Sequence, residues 1–327
     1  MAMQRVEIAR MGPEHLDAAA RLVAERQERW RFAEPALPVR YADPAKVLPR
    51  IAAQLETEGA FGCVALDADE QLTGFLLGVP REGEPWCRGV WVSLEASASV
   101  EGETMRDLYG AWSATLVQGG ALSHYVEVPS AEPGPLRAWR QLGFAHMHEY
   151  GLRETDASDL APVAGMTIRR ATMEDREIVE RLSGIISGTQ ARSPSYSPMS
   201  AESRASEVND YVEEIDGPDG FWLAVDATDG RPLGMTISYE PDPGLAVPER
   251  ATYLGSTMTL PEERGRGVAR ALLRFVLERG RDGGATHCVT NWRTTNLLAS
   301  RTWPRLGFRH THHRLVRHLD ARVAEVA

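Results

Sequence analysis

Tyr253-Leu254-Gly255-Ser256-Thr257-Met258-Thr259-Leu260-Pro261-Glu262-Glu263-Arg264-Gly265-Arg266-Gly267-Val268-Ala269-Arg270-Ala271-Leu272-Leu273-Arg274-Phe275-Val276-Leu277 is the stretch that decides the fold. Its first eight residues read as a strand and its last eight as a helix, with a glycine-rich turn between them. Such a turn lets the backbone approach an anion closely, and the first-turn N–H groups of the helix have no partner inside it. The helix dipole and the arginines add positive potential. The plainer alternative is a glycine-containing turn with no ligand. A nucleotidase phosphate loop needs Gly-Lys-Ser/Thr after the glycines, and Val268-Ala269-Arg270 stand there instead. A dinucleotide fold needs a third glycine and a later ribose-binding acid, neither of which is in place.

What surrounds the turn carries a family resemblance. Thr257 to Ala269 resembles the signature of the GNAT acyltransferases: Arg or Gln, two residues, Gly, one residue, then Gly or Ala. Arg264, Gly267 and Ala269 fill it. Downstream, Asn296-Leu297-Leu298-Ala299 and then Trp303-Pro304-Arg305-Leu306-Gly307-Phe308 resemble the family's Asn-x-x-Ala followed by aromatic-x-x-x-Gly-Phe. The resemblance implies an α/β protein of the α+β kind. Its expected fold is a central mixed, mostly antiparallel sheet flanked by helices, with one splayed strand pair.

The chain repeats itself once. Val6-Glu7-Ile8-Ala9-Arg10 has a counterpart in Met166-Thr167-Ile168-Arg169-Arg170. The hairpin of Val64-Ala65-Leu66-Asp67 with Gly74-Phe75-Leu76 recurs as Leu223-Ala224-Val225-Asp226 with Gly234-Met235-Thr236, the latter turned by Asp229-Gly230. Trp139-Arg140-Gln141-Leu142-Gly143-Phe144 matches Trp303 to Phe308, 164 residues later. So long a period means duplicated domains rather than a solenoid. The expected organisation is two tandem GNAT folds: residues 1–154, a polar, small-residue linker at 155–165, and residues 166–327. A shift of 164 residues places Val100-Glu101-Gly102-Glu103-Thr104 where phosphates would dock in the first copy. Carboxylates there repel a pyrophosphate, so the N-terminal copy is expected to have lost its coenzyme site.

Composition bounds the function. At 327 residues, 43% hydrophobic and 25% charged, the chain suits two globular domains. No apolar run approaches the roughly 20 residues of a membrane span, and Met1 to Glu7 lacks a signal-peptide core. Cys63, Cys87 and Cys288 are few and widely spaced, as in a reducing cytoplasm, and give no zinc pattern. Cys288 reads as a buried structural thiol. A net charge of −10 argues against nucleic acid. Yet between Arg264 and Arg317 there are twelve arginines and two acids, Glu278 and Asp282, an excess that fits a polyanionic ligand or a solvated basic face. Lys46 is the only lysine, which suggests a GC-rich genome such as an actinobacterium's. His310, His312 and His313 have no acid or cysteine beside them in the chain, so no metal is expected.

The resemblance implies acetyl-CoA as co-substrate. By position, the amides of Thr257, Met258 and Thr259 would pair with the pantetheine arm. The pyrophosphate would rest on the turn of Arg264, Gly265, Arg266, Gly267, Val268, Ala269 and Arg270. Asn296 would touch the coenzyme arm, cap its helix, or do both. The reaction implied is direct attack of a neutral amine on the thioester, which needs a base. Glu240, with Tyr239 beside it, is the candidate at the end of the third strand. The family often places a Tyr hydroxyl where Trp303 stands, and an indole N–H is no substitute acid. Either the thiolate leaves unassisted, as a pKa of ~8.5 allows, or another residue substitutes, or the domain binds coenzyme without catalysis. The same tryptophan at Trp139 favours packing.

In the family the acceptor is set by the segment joining the first two helices, here Ser187 to Ser200, rich in Ser and Pro. Its low aromatic content favours a small polar amine. The expected protein is a cytoplasmic N-acetyltransferase, monomer or homodimer, acting on a small-molecule amine in actinobacterial specialised (antibiotic) metabolism. It needs no metal, nucleic acid or membrane. A mycothiol-synthase-like acetyltransferase and a non-catalytic acyl-CoA-binding regulator are the alternatives.

Overall fold

A computed structural model describes residues 6–81, 89–217 and 220–325. Cys87 lies outside them. The chain divides into two compact units: unit 1 is 1–149, 244–246 and 311–327, and unit 2 is 150–243 and 247–310.

Chain order through the first half is β1 (Glu7–Arg10), α1 (Leu16–Ala33), α2 (Pro44–Leu55), β2 (Phe61–Leu66), β3 (Leu72–Arg81), β4 (Gly89–Val92), β5 (Ser97–Ser99), α3 (Gly102–Gln118), β6 (Ser123–Pro129), α4 (Pro133–Gln141) and β7 (Ala145–Glu154). The second half repeats that order as β8 (Met166–Arg170), α5 (Arg176–Gln190), α6 (Ala201–Glu213), β9 (Gly220–Asp226), β10 (Pro232–Tyr239), β11 (Ala251–Thr259), α7 (Val268–Asp282), β12 (His287–Arg293), α8 (Leu297–Arg305) and β13 (Arg309–His318). One strand, β11, stands where the first half has two short ones, β4 and β5. Among the described residues no helix is long and apolar enough to cross a membrane.

The sheet of unit 1 runs β1-β2-β3-β4-β6-β13, with β5 paired to β3. Its final pairing is antiparallel, from His312↔Pro129 to His318↔Ser123. The sheet of unit 2 runs β8-β9-β10-β11-β12-β7. The unit margins therefore depart from a serial cut at 154 and 166. Strand pairing sets the difference, since 311–318 complete the sheet that contains β6 and 150–154 belong with the sheet that contains β12.

Residues 155–165 are not a loose tether. Ala157 and Leu160 are buried with Leu273, Val276, Leu277 and Trp303. The Arg274 guanidinium donates to the carbonyls of Leu160 (2.5 Å) and Ala157 (3.3 Å). Two small apolar side chains at i and i+3 insert beside α7, while the polar residues around them face solvent. The hairpin at Asp229-Gly230 forms as expected, with Gly230 at φ +75. Cys288 is fully buried in unit 2, and burial pushes its thiol up to about 12, as suits a structural cysteine.

Candidate coenzyme and acyl-transfer site

The site is built where β11 leaves its parallel neighbour. Ala251, Thr252 and Tyr253 pair with His287, Cys288 and Val289, and the ladder stops there. Beyond it Thr290 Oγ1 donates to the Leu254 carbonyl at 2.8 Å. On its other edge β11 stays paired with β10, through Thr236↔Thr257, Met235↔Met258 and Gly234↔Thr259. Residues 254–259 thus hold their shape from one side and offer the other. The pairing with β10 slips between Thr236 and Ser238, so Gly255 and Ser256 together face Ile237. This is a β-bulge, the kind of irregularity that re-aims a side chain.

The turn that follows has the geometry of an anion cradle. Gly265 stands at φ +82 and Gly267 at φ +89, the left-handed region that favours glycine. Gly267 is the N-cap of α7 and has no side chain to satisfy the first amides. The helix is held down by Val268, Leu272, Leu273, Val276 and Leu277, a buried stripe at helical spacing.

The arginines divide into two sets. Arg266 is committed: its guanidinium meets Glu263 at 2.5 Å and Asp226 at 3.2 Å. Arg231 joins the same pair of acids. The two arginines hold the Glu263 carboxyl below the usual carboxylate range, Arg231 first and Arg266 second. This cluster ties the start of the turn to the β9–β10 hairpin, so the Arg266 side chain is structural and that residue serves the cradle through its backbone. Arg264 is exposed with no partner among the described residues, and the Arg270 Nε is buried without one.

The other expected residues fall as follows. Met258 is buried, while Thr257 and Thr259 are half-buried; the Thr257 and Thr236 hydroxyls lie 2.7 Å apart. Asn296 is the N-cap of α8, its Oδ1 accepting from the Ala299 N–H at 3.3 Å. Tyr239 stacks on Tyr253 at 4.7 Å and 20°, and Asn291 Nδ2 donates to the Tyr253 hydroxyl. Glu240, by contrast, follows β10 on the exposed surface. Ser187 to Gln190 belong to α5, so the segment between the helices is 191–200, shorter than expected.

One carboxylate escaped the sequence reading. Glu207 lies one turn before Tyr211 on α6, and Tyr211 reaches the bulge: its hydroxyl is 2.5 Å from Ser256 Oγ. Glu207 is half-buried and takes a hydrogen bond from Ser187, while its Oε2 is buried with no partner. Burial pushes its carboxyl above the ordinary range, and Asp210 adds to this. Burial likewise pushes the Tyr211 hydroxyl up to about 12.

Trp303 is 7% exposed, packed edge-on to Phe308 at 5.9 Å. Trp139 is 1% exposed against Phe144 and Tyr109. The two positions match in burial as they do in sequence, which favours packing over acid catalysis.

Unit 1 differs at each of these points. The N-cap of α3 is Glu101 at φ −124, an extended conformation, so the helix starts align Glu101 with Gly267 rather than with Gly265. Glu103 in the first turn pairs with Arg106 at 2.6 Å. The strand is broken into β4 and β5, and the break is filled. Arg26, 3% exposed, donates to the Ser97 carbonyl at 2.5 Å and to the Leu94 carbonyl. Beside α3 a cavity of ≈ 380 Å³ is lined by Trp30, Val100, Gly102 and the Arg29–Glu132 ion pair, among others.

Comparison with known proteins agrees with this geometry. Residues 188–308 match the model of the acetyltransferase (GNAT) family. No curated protein sequence matches the chain. Among solved structures, a GCN5-related N-acetyltransferase from Sphaerobacter thermophilus aligns with a TM-score of 0.60 at 17% identity, over 96% of this chain and 95% of its own. A tandem GNAT protein from the clavulanic acid biosynthesis pathway aligns at 0.51 and 15%, over 96% and 98%. The GNAT region of a fungal multi-domain β-N-acetylglucosaminidase aligns at 0.53 and 15%, over 97% of this chain and 38% of that one. At such identities the structural likeness speaks for the fold, and the family match speaks for the second half. The chain has the fold of these acetyltransferase structures, and its residues 188–308 match the acetyltransferase (GNAT) family model.

Proposed function

We propose that unit 2 transfers an acyl group, acetyl in the first instance, from acyl-CoA to the amine of a small polar molecule, and that unit 1 binds no coenzyme. The observation that carries the reading is the coincidence of three features on one strand–turn–helix: a β11 edge freed from β12, a bulge at Gly255-Ser256, and an uncapped α7 behind two left-handed glycines. The free edge suits an amide-bearing arm, and the helix start suits a pyrophosphate with Arg264 and Arg270 beside it. The acceptor would enter from the α5–α6 side, where Glu207 and Tyr211 stand.

Glu207 is the residue with the strongest case as base, in place of the exposed Glu240. A carboxyl with one buried, unpartnered oxygen and a raised pKa can take the ammonium proton, directly or through water, and pass it to solvent; the N–H proton of the tetrahedral adduct then leaves by the same route as the amide forms. The attacked carbonyl would be polarised by a backbone amide near the bulge. The bond formed is amine N to acyl C; the bond broken is acyl C to thiol S. The thiolate leaves and takes its proton from solvent, since Trp303 offers no acid.

Incubation with labelled acetyl-CoA and a panel of small amines tests the reading. Turnover that Glu207→Gln removes while Glu240→Gln does not supports it. Tight coenzyme binding with no turnover on any amine identifies the chain as a coenzyme-binding regulator instead.

A further inference from the structure

The sequence offered three histidines on β13 with no acid nearby in the chain. The fold supplies the acid. In unit 1, Glu149 on β7 lies between His146 and His313: His146 Nε2 is 3.2 Å from Glu149 Oε1, and His313 Nδ1 is 2.8 Å from Glu149 Oε2. The two imidazoles meet edge to face with centroids 4.6 Å apart and planes at 82°. One ligand atom from each of the three residues lies within 4.8 Å of the other two. Their side chains are 28%, 13% and 12% exposed, so the group is sheltered but open to an ion. His146 Nε2 also lies 3.2 Å from the His148 carbonyl, a further oxygen at the same place.

From this geometry we propose that His146, Glu149 and His313 form a binding site for one divalent transition-metal ion of the Zn²⁺ class. Two imidazole nitrogens and one carboxylate are a donor set that Zn²⁺ accepts, with bonds of roughly 2.0–2.2 Å and a fourth position left for water. In a tetrahedron with such bonds the ligand atoms stand roughly 3.4 Å apart. The two separations of 3.2 and 2.8 Å are already close to that, and a change of tautomer in each ring presents a lone pair in place of the N–H at these nitrogens. With no ion, the His313 Nδ1–H faces the carboxylate and the His146 Nε2–H is shared between it and the His148 carbonyl; with an ion, each proton moves through solvent to the other ring nitrogen, both imidazoles stay neutral and the carboxylate becomes a ligand. The ion would clasp residues 146–149 to β13, segments more than 160 positions apart in the chain. It belongs to unit 1 and takes no part in the acyl transfer proposed for unit 2, so the two proposals stand or fall separately.

The test uses the full chain, stripped by a chelator and then titrated with Zn²⁺ by calorimetry, with Co²⁺ as a spectroscopic probe. The expected result is one ion per chain, a Co²⁺ visible spectrum of tetrahedral intensity, and a thermal midpoint that rises with Zn²⁺. His146→Ala, His313→Ala and Glu149→Gln should each weaken binding by about tenfold or more, at least the loss that follows removal of a group that only hydrogen-bonds a ligand. X-ray absorption of the Zn²⁺-loaded wild-type chain keeps the test sound should a variant fail to fold, and two imidazoles bound to the ion are expected. No saturable binding, variants that bind as the wild type does, or a shell of sulfur or of oxygen alone would overturn the site.

Discussion

Replacing Gly267 with glutamate separates phosphate binding from folding. Gly267 caps α7 at φ +89 and ψ 12, where an L-residue costs about 1–2 kcal/mol. An added Cβ would lie 3.3 Å from Val163 Cγ2 and from Arg270 Nη2, close enough that both give by a few tenths of an ångström. The thermal midpoint should therefore fall by roughly 2–8 °C, at about 2–4 °C per kcal/mol for a domain of this size. Coenzyme binding should suffer far more. A carboxylate about 5 Å from a phosphate charge costs about 1 kcal/mol in a water-like medium and about 3 kcal/mol at an effective dielectric near 20. The side chain also takes the space the pyrophosphate needs, so a loss of about a hundredfold is expected, at 1.4 kcal/mol per tenfold. Gly267→Ala carries the same backbone strain without the charge. It should lower the midpoint equally and weaken acetyl-CoA by only several-fold. Calorimetric titration beside a thermal melt reads both quantities. Wild-type affinity in a folded Gly267→Glu chain would refute the phosphate-cradle assignment outright.

Further outcomes are expected elsewhere. Trp303→Phe should keep most turnover, whereas Trp303→Ala should cost about 3–5 kcal/mol of stability in a denaturant melt, as for other buried aromatic truncations; a folded Trp303→Phe with turnover down by orders of magnitude would give the indole a chemical role. Because burial raises the Glu207 carboxyl, turnover should climb with pH through a pKa above the usual carboxylate range, and Glu207→Gln should abolish that limb. His124 is held neutral by burial, its pKa pushed down to about 4, with Tyr109 and the Ala121 carbonyl on its two nitrogens. Between about 4 and its ordinary 6.5 the unfolded chain binds a proton that the folded chain does not, so stability should fall as pH drops through that window, and His124→Phe should flatten the slope in pH-dependent melts.

How much was legible follows the range of the interactions. The turn at Gly265 and Gly267, the helix stripe from Val268 to Leu277 and the hairpin at Asp229-Gly230 are local features whose periodicity and turn chemistry stand in consecutive residues, and they form as read. The internal repeat was legible for the same reason. What escaped needs residues distant in sequence. The bulge at Gly255-Ser256 is a mismatch of register with β10 that no single strand displays. Glu207 sits in a polar helix among other charges, and only its packing toward Ser187 and Tyr211 distinguishes it from Glu240. Arg26 looks like any surface arginine of α1 until β4 and β5 are seen to break beside it. His313 and Glu149 meet only because β13 lies in unit 1. The Arg266 side chain, expected at the phosphates, is drawn instead to Glu263 and Asp226, one of them 40 residues away.

The central claim is one coenzyme site per chain, placed by the uncapped start of α7 and denied to unit 1 by Glu101, Glu103 and the Arg26 plug. Native mass spectrometry of the purified chain with acetyl-CoA counts it directly. A single bound coenzyme, lost in Gly267→Glu and retained in Glu101→Gln, is the result predicted. Two coenzymes per chain, or one that survives Gly267→Glu, would contradict the account.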